Sequence, residues 1–383
     1  MSDTLRIVHV VRQYDPMQGG IESYVKALCA QQRRQGLDPS VLTLNRIFHK
    51  PQTRLPEREV IDGLVVQRIP FRGNRRLIVP FFNPMGLRDY DLVHMHAIDQ
   101  LCDMVCASQF MFRRPIVVTT HGGFFHTPAL AMIKRIYFQT ISRLTLNRAS
   151  AVIACSSSDQ QMMRRIGIEA TLIPNAVVSW GEMATGPDLI YIGRLAVNKQ
   201  VEKLIDFAGA LRRRGCPRRL HIVGDDFDQM TPALVARIRQ HGVADDVVLH
   251  GYLSRDDVQA LLRQCRFFVS ASRYEGFGMS MIEAMSAGLI PFVQVNDSFS
   301  ELIGQTRPHS LTDFADPDRA AEQFVRLEDS VTEEDQQQVR AFALQFSWPE
   351  LANKVLLIYQ KLLSGHRRSL AARLAAAQER SAC

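Results

Sequence analysis

At 383 residues, 46% of them hydrophobic and 22% charged, the chain has the length for two domains with separate cores, and its composition argues against disorder. The longest apolar runs, such as "FFVSAS" and "DLIYIG", fall far below the roughly 18 residues of a membrane span. A net charge of +7 admits nucleic acid, anionic lipid or a phosphorylated substrate as partner and does not choose among them.

"MSDTLRIVHVVRQY" enters an apolar run without a basic region or cleavage site, so no signal peptide is expected. Strands are predicted at 5–11, 39–45, 64–70, 91–97, 115–123 and 151–156, with a helix over 21–36. Their Val/Ile-rich, unalternated pattern indicates a parallel sheet covered on both faces. A Pro/Gly-containing pause near 175–187 reads as a linker. The pattern then restarts with strands at 189–194, 219–225, 246–252, 267–272 and 290–294. The expected division is 1–175, a second doubly wound α/β domain over 176–345, a helix over 346–363 and a basic tail over 364–383. Seven scattered cysteines without a CxxC pair read as reduced thiols, and no metal-ligand cluster is visible.

In open parallel sheets, ligands sit beyond the carboxyl ends of strands, so the loops there are the places to look. Gly19 and Gly20 precede a helix, where backbone amides can approach an anion; a plain turn is the simpler reading of that pair alone. The stretch lacks GxGxxG spacing, which weighs against a dinucleotide cofactor. "VVTTHGGFFHT" offers His121 at a strand end, ahead of His126. "YIGRLAVNKQ" places Arg194 and Lys199 around a helix start, as a diphosphate would require, or as a solvated surface pair. "SRYEGFGMSMIEAMSAGLIP" sets Glu275 in a loop and Glu283 on the following helix, with Gly276, Phe277 and Gly278 between them. The two acids read as gripping separate parts of one long ligand rather than as an acid/base pair.

Together these stretches, with "THGG" and "IVGD", resemble the retaining, nucleotide-sugar-dependent glycosyltransferases of family 4, in order and spacing and over nearly the whole chain. The resemblance implies the GT-B fold: two Rossmann-like domains facing a cleft, an N-terminal one for the acceptor and a C-terminal one for the nucleotide sugar. The last helix is expected to return to the N-terminal domain. It further implies catalytic roles for His121, by the sugar at the reaction centre, and Glu275, on the donor hexose. Glu283 would hold the ribose, Arg194 and Lys199 the diphosphate, and the amides around Gly276–Gly278 the phosphates. Gly19 and Gly20 would approach phosphate or acceptor. No metal or other cofactor is implied.

A closer likeness is to the α-1,3-mannosyltransferases of xanthan- and acetan-type exopolysaccharide assembly. That implies GDP-mannose as donor, a polyprenol-diphosphate-linked glycan as acceptor, no nucleic acid partner, and work at the inner face of the bacterial cytoplasmic membrane. The chain departs from the family pattern at Gln200, where many members have Gly; at Ala176, where "NG" is common; and at "VNDSFSE", where a Gly-rich turn often stands. A UDP-sugar donor, a nucleotide-sugar-binding protein without catalysis, and an oxidoreductase are the competing readings. The stretch 129–150, with Ile133, Ile136, Tyr137, Ile141 and Leu144 at helical spacing and Lys134, Arg135, Arg143 and Arg148 beside them, is a candidate for an anionic membrane surface. Packing of that apolar face on the chain's own sheet is the simpler expectation.

Overall fold

The computed structural model describes residues 4–17, 19–48, 50–74, 77–121, 132, 136–181, 183–275, 277–304 and 306–381. Of the residues singled out above, Gly276, His126, Ile133, Lys134 and Arg135 lie outside them. The chain divides into two compact units, Met1–Pro174 with Trp348–Cys383, and Asn175–Ser347.

The first unit contains β1 (Arg6–Val10), β2 (Asp38–Leu44), β3 (Arg46–Ile47), β4 (Lys50–Arg54), β5 (Arg58–Ile61), β6 (Leu64–Ile69), β7 (Phe71–Gly73), β8 (Ile78–Pro80), β9 (Leu92–His96), β10 (Ile116–Thr119), β11 (Ala151–Ala154) and β12 (Thr171–Leu172). Eight of these form one sheet in the order β12-β11-β10-β9-β1-β2-β6-β5. Every pairing is parallel except β5 with β6, which Asp62 and Gly63 join at φ of 49° and 76°. Such a pair suits a tight hairpin turn.

One sheet face buries Val8, Val10, Val93, Met95 and Val118 in an apolar cluster. The other carries a polar strip. His9 stands in register with His94, and His96 with Thr119, so alternation puts all four on one side. The Gly20–Arg34 helix and the long Trp348–Ser381 helix contribute Gln32 and Tyr359 to that strip. The last helix is continuous for 34 residues, so the stretch after 363, set apart in the sequence as a tail, continues it.

The second unit has β13 (Asp188–Ile192), β14 (Leu220–Val223), β15 (Val247–Gly251), β16 (Cys265–Ser270), β17 (Ile290–Gln294) and β18 (Leu311–Thr312), ordered β15-β14-β13-β16-β17-β18 and parallel throughout. This is the doubly wound arrangement, with its switch point between β13 and β16. Its core is aromatic: Phe207, Phe267, Phe292, Phe314 and Phe324 pack largely edge to face. The stretch read as a linker is packed instead. Trp180 is 8% exposed with its amide on Ser286 Oγ, and the amides of Thr185 and Gly186 bond the Arg263 carbonyl.

Candidate functional site

Among the described residues, six α-helices begin under a side-chain cap: Asp99, Ser156, Ser254, Asn296, Asp316 and Thr332 each accept from an amide of the first turn. The helices that follow Gly19, Gln200 and Gly278 have none. Those are the helices that open after the loops singled out in the sequence, and their first amides are available to a ligand.

In the second unit β13 and β16 are neighbours, which brings the loops after them together. Lys199 Nζ lies 2.6 Å from Glu275 Oε1, with both side chains mostly buried. An ammonium has three donors, so this contact leaves two for phosphate oxygens. Gln200, directly after, sits at φ 50° and ψ 43°. That left-handed conformation is what Gly adopts freely, which accounts for the glycine common at this position in the family. Ala176 is not among the residues of positive φ, so nothing there calls for glycine. Arg194 lays its guanidinium 4.6 Å over the Phe227 ring, and Tyr191 OH donates to the Arg194 carbonyl at 3.0 Å.

Gly278 caps its helix at φ 85°, and a Cβ there would lie 2.8 Å from the Phe299 ring. Phe277 packs partly buried on the unit's own core, its ring 5.6 Å from that of Phe346. Glu283 accepts from the Val178 amide at 3.5 Å, and burial pushes its carboxyl up to about 7 against the pull of that amide and of Arg255. Glu275 and Glu283 therefore have separate surroundings, as two grips on one ligand would.

Sequence reasoning missed the brace behind Glu275. Ser298 Oγ donates to the Glu275 carbonyl at 2.6 Å, and Asn296 Nδ2 to the Ser272 carbonyl at 2.9 Å. Both belong to "VNDSFSE", noted only as a departure. The N-cap pattern Asn296-x-x-Phe299 was the available signal.

In the first unit a cavity of about 460 Å³ opens at the carboxyl ends of β1 and β9, lined by Arg12, Gln13, Ile21, Glu22, His96 and Ala97 among others. Gly20 has open space on its Cβ side, whereas Glu22 leans across Gly19, 2.4 Å from where a Cβ would stand. An acid already lies at this helix start, which favours a hydroxyl-bearing ligand over a second anion. Arg12 pairs with buried Asp99 at 2.9 Å.

His121 follows β10 at φ 53°, a strained position for a non-glycine residue. Its Nε2 is 2.9 Å from His96 Nδ1, its Nδ1 3.8 Å from Cys155 Sγ, and the Tyr24 ring stands edge-on at 4.4 Å. Burial pushes it down to about 3, so it is neutral at physiological pH. The structure thus gathers histidines that the sequence reading kept apart, and His9, His94 and His96 bring ligand-type atoms within 4.8 Å of one another. Every ring nitrogen of these three is in a hydrogen bond to His, Gln, Tyr or Thr, so the group is a satisfied network as it stands. "HMH" on a strand, with two histidines on one face, was the signal.

The 129–150 stretch differs from the simpler expectation. Phe138 and Leu146 are buried, but Ile136, Ile141 and Leu144 are 56%, 47% and 70% exposed. The cause is Asp103, which accepts from Tyr137 OH at 2.7 Å and Ser142 Oγ at 3.1 Å and turns the polar side inward. Arg143 and Arg148 are also exposed.

Two family descriptions match the chain: "Glycosyltransferase Family 4" over residues 18–178 and "Glycosyl transferases group 1" over residues 175–343. The GDP-mannose:cellobiosyl-diphosphopolyprenol alpha-mannosyltransferase of Xanthomonas campestris is 35% identical over 76% of this chain and 78% of its own length. Its namesake from Komagataeibacter xylinus is 31% identical over 94% of each. Among solved structures, a glycosyltransferase from Rickettsia africae superposes with TM-score 0.70 at 15% identity, covering 94% of this chain and 99% of its own. The sucrose-phosphate synthase of Thermosynechococcus elongatus does so with TM-score 0.66 at 15% identity, covering 94% and 100%. No helix among the described residues is long and apolar enough to cross a membrane. The chain therefore belongs to glycosyltransferase family 4, is built on the GT-B fold, and stands within that family beside the α-mannosyltransferases just named.

Proposed function

We propose that the protein moves mannose from GDP-mannose, with retention of configuration, onto a polyprenol-diphosphate-linked oligosaccharide in bacterial exopolysaccharide synthesis. The observation that carries this reading is the Lys199–Glu275 contact, which joins a phosphate-binding cation to a carboxylate fit for sugar hydroxyls, in a chain whose relatives use that donor. The bond from the sugar's anomeric carbon to the diphosphate breaks while the acceptor hydroxyl attacks from the same face. Its proton passes to the departing phosphate oxygen. Arg194, Lys199 and the uncapped amides at Gly278 stabilise the charge that develops there. Glu275 positions the hexose, Glu283 the ribose, and neutral His121 lies by the sugar without adding a charge. The two cations supply what a divalent ion otherwise would, so no metal is required.

The test is purified protein with a panel of GDP- and UDP-sugars and a cellobiosyl-diphosphopolyprenol acceptor, with and without EDTA. Mannose transfer from GDP-mannose that survives EDTA supports the reading. Turnover with a UDP-sugar alone, or binding without transfer, overturns it.

Such an acceptor lies in a bilayer, and the exposed Ile136, Ile141, Leu144, Arg143 and Arg148 suit the headgroup layer of an anionic membrane, where each basic residue adds about 1 kcal/mol. We place the protein peripherally on the inner face of the cytoplasmic membrane. Co-sedimentation with anionic vesicles should fall at high salt and in an Ile141→Ser/Leu144→Ser/Arg143→Glu variant. Equal binding to neutral vesicles would refute it.

A further inference from the structure

The histidines of the first unit form a chain of bonds with a direction. His9 Nε2 is 2.7 Å from Gln32 Oε1, His9 Nδ1 is 2.9 Å from His96 Nε2, and His96 Nδ1 is 2.9 Å from His121 Nε2. Burial keeps all three rings neutral, so each has one N–H and one bare nitrogen. A choice at one end is therefore passed to the other. A Gln32 carbonyl facing His9 requires Nε2–H on His9, then Nε2–H on His96, then Nε2–H on His121. His121 Nδ1 is left bare, facing the Cys155 thiol, which burial holds in its protonated form. A reversed Gln32 amide would reverse every proton in the row.

The same amide also directs a second branch. Gln32 Nε2 donates to Tyr359 OH at 3.2 Å, and that hydroxyl lies 2.5 Å from His94 Nδ1. His94 Nε2 in turn lies 2.7 Å from Thr119 Oγ1. With the amide donating, the tyrosine hydroxyl is free to donate to His94 Nδ1, and His94 keeps its proton on Nε2 for Thr119. Both branches close without an orphaned group, and because turning the amide would reverse both at once, Gln32 couples them into one cooperative network.

We propose that Gln32, anchored by Tyr359, is a positioning residue for the transfer reaction: through His9 and His96 it decides which nitrogen of His121 bears the proton. The proposal rests on the reading that His121 meets the sugar. It gives His121 one fixed tautomer instead of a mixture, so that the site is assembled before substrate arrives. It also gives a task to His9, His96 and Gln32, which the mechanism above does not use.

The experiment uses full-length protein with ¹⁵N-labelled imidazoles and long-range ¹H–¹⁵N correlation, without donor. His9, His94, His96 and His121 should all show the Nε2–H pattern. Gln32→Met, close in shape but unable to direct a proton, should give a mixed pattern at His9, His96 and His121. Its kcat should fall roughly 10- to 100-fold, the range for losing an orienting partner of a site histidine, with the KM for donor little changed. Gln32→Glu keeps an acceptor toward His9 and should restore the Nε2–H pattern at His121 and most of kcat. Nδ1–H on His121 in the unaltered protein, or an unchanged pattern in Gln32→Met, overturns the chain. A changed pattern with unchanged kcat overturns the role of His121 instead. If Gln32→Met does not fold, Tyr359→Phe, which frees the amide to turn, must show the mixing; its absence there overturns the proposal as well.

Discussion

Each unit is built on its own largely parallel sheet, and the two differ in what they bury against it. The second fills its interior with Phe207, Phe267, Phe292, Phe314 and Phe324 and, apart from His221 held between Asp188 and His250, keeps its polar chemistry in loops beyond the strand ends. The first buries His9, His94, His96 and Thr119 on the sheet face itself. An apolar sheet is a rigid platform whose loops may vary without disturbing it. A polar sheet face ties neighbouring strands together through side-chain hydrogen bonds, and under the role proposed for His121 a change inside it would reach the substrate. This contrast has three consequences that measurements could break or sharpen.

The largest effect belongs to the loops of the second unit. Arg194→Ala or Lys199→Ala should lower kcat by roughly 10²- to 10³-fold, the cost of one lost donor to a developing oxyanion. Thermal unfolding should be nearly unmoved in Arg194→Ala, whereas Lys199→Ala also leaves the mostly buried Glu275 carboxylate without its partner and should unfold at a lower temperature. Glu275→Ala should act mainly on turnover and Glu283→Ala mainly on affinity for free nucleotide. Near-normal turnover in Arg194→Ala, or a large drop in its unfolding temperature, would show that the loops are not separable from the platform.

Next is pH. Burial lowers His9 to about 4 and His121 to about 3, so between those values and 6.5 the unfolded chain holds more protons and the first unit gains stability as pH rises. Glu283 is raised from 4.5 to about 7, so the folded second unit holds the extra proton and loses stability as pH rises through that window. Trp180 and Trp348, the chain's two tryptophans, report one unit each. Denaturation of Trp180→Phe and Trp348→Phe variants between pH 4.5 and 6.5 should give slopes of opposite sign, and Glu283→Gln should flatten that of the second unit. Slopes of the same sign would dissolve the comparison.

The smallest effect is at Gln200. Gln200→Gly relieves a left-handed residue at a cost in unfolded-chain entropy, for a net gain of about 0.5–1 kcal/mol in denaturant unfolding followed at Trp180. A loss of stability there would mean that the Gln side chain matters more than its backbone.

The main strands were legible because buried parallel strands write unbroken Val/Ile runs, and "IPFVQ" was placed to the residue. The β5–β6 hairpin was missed although Asp62–Gly63 is a strong turn signal, because its strands are short and the edge pairing is antiparallel. The loops of the second unit were legible as a motif. The Lys199–Glu275 contact was not, since 76 residues separate the pair and only the adjacency of β13 and β16 joins them. The histidine row was invisible for the same reason. His9, His96 and His121 lie on or just beyond three neighbouring strands, and single-sequence periodicity reports faces, not neighbours.

Tyr359 bears on synthesis as well as on structure. It closes a network whose imidazole, amide and threonine members lie between His9 and His121, and the whole second unit is encoded between His121 and Tyr359. At roughly 5–20 residues per second, the ribosome needs on the order of 10–40 s to pass from Leu172, where the last strand of the sheet ends, to Tyr359. Throughout that interval the nascent first unit has its sheet but not the hydroxyl that Gln32 and His94 share. Its polar face stays open to water until the final helix docks, so the unit that begins first is completed last.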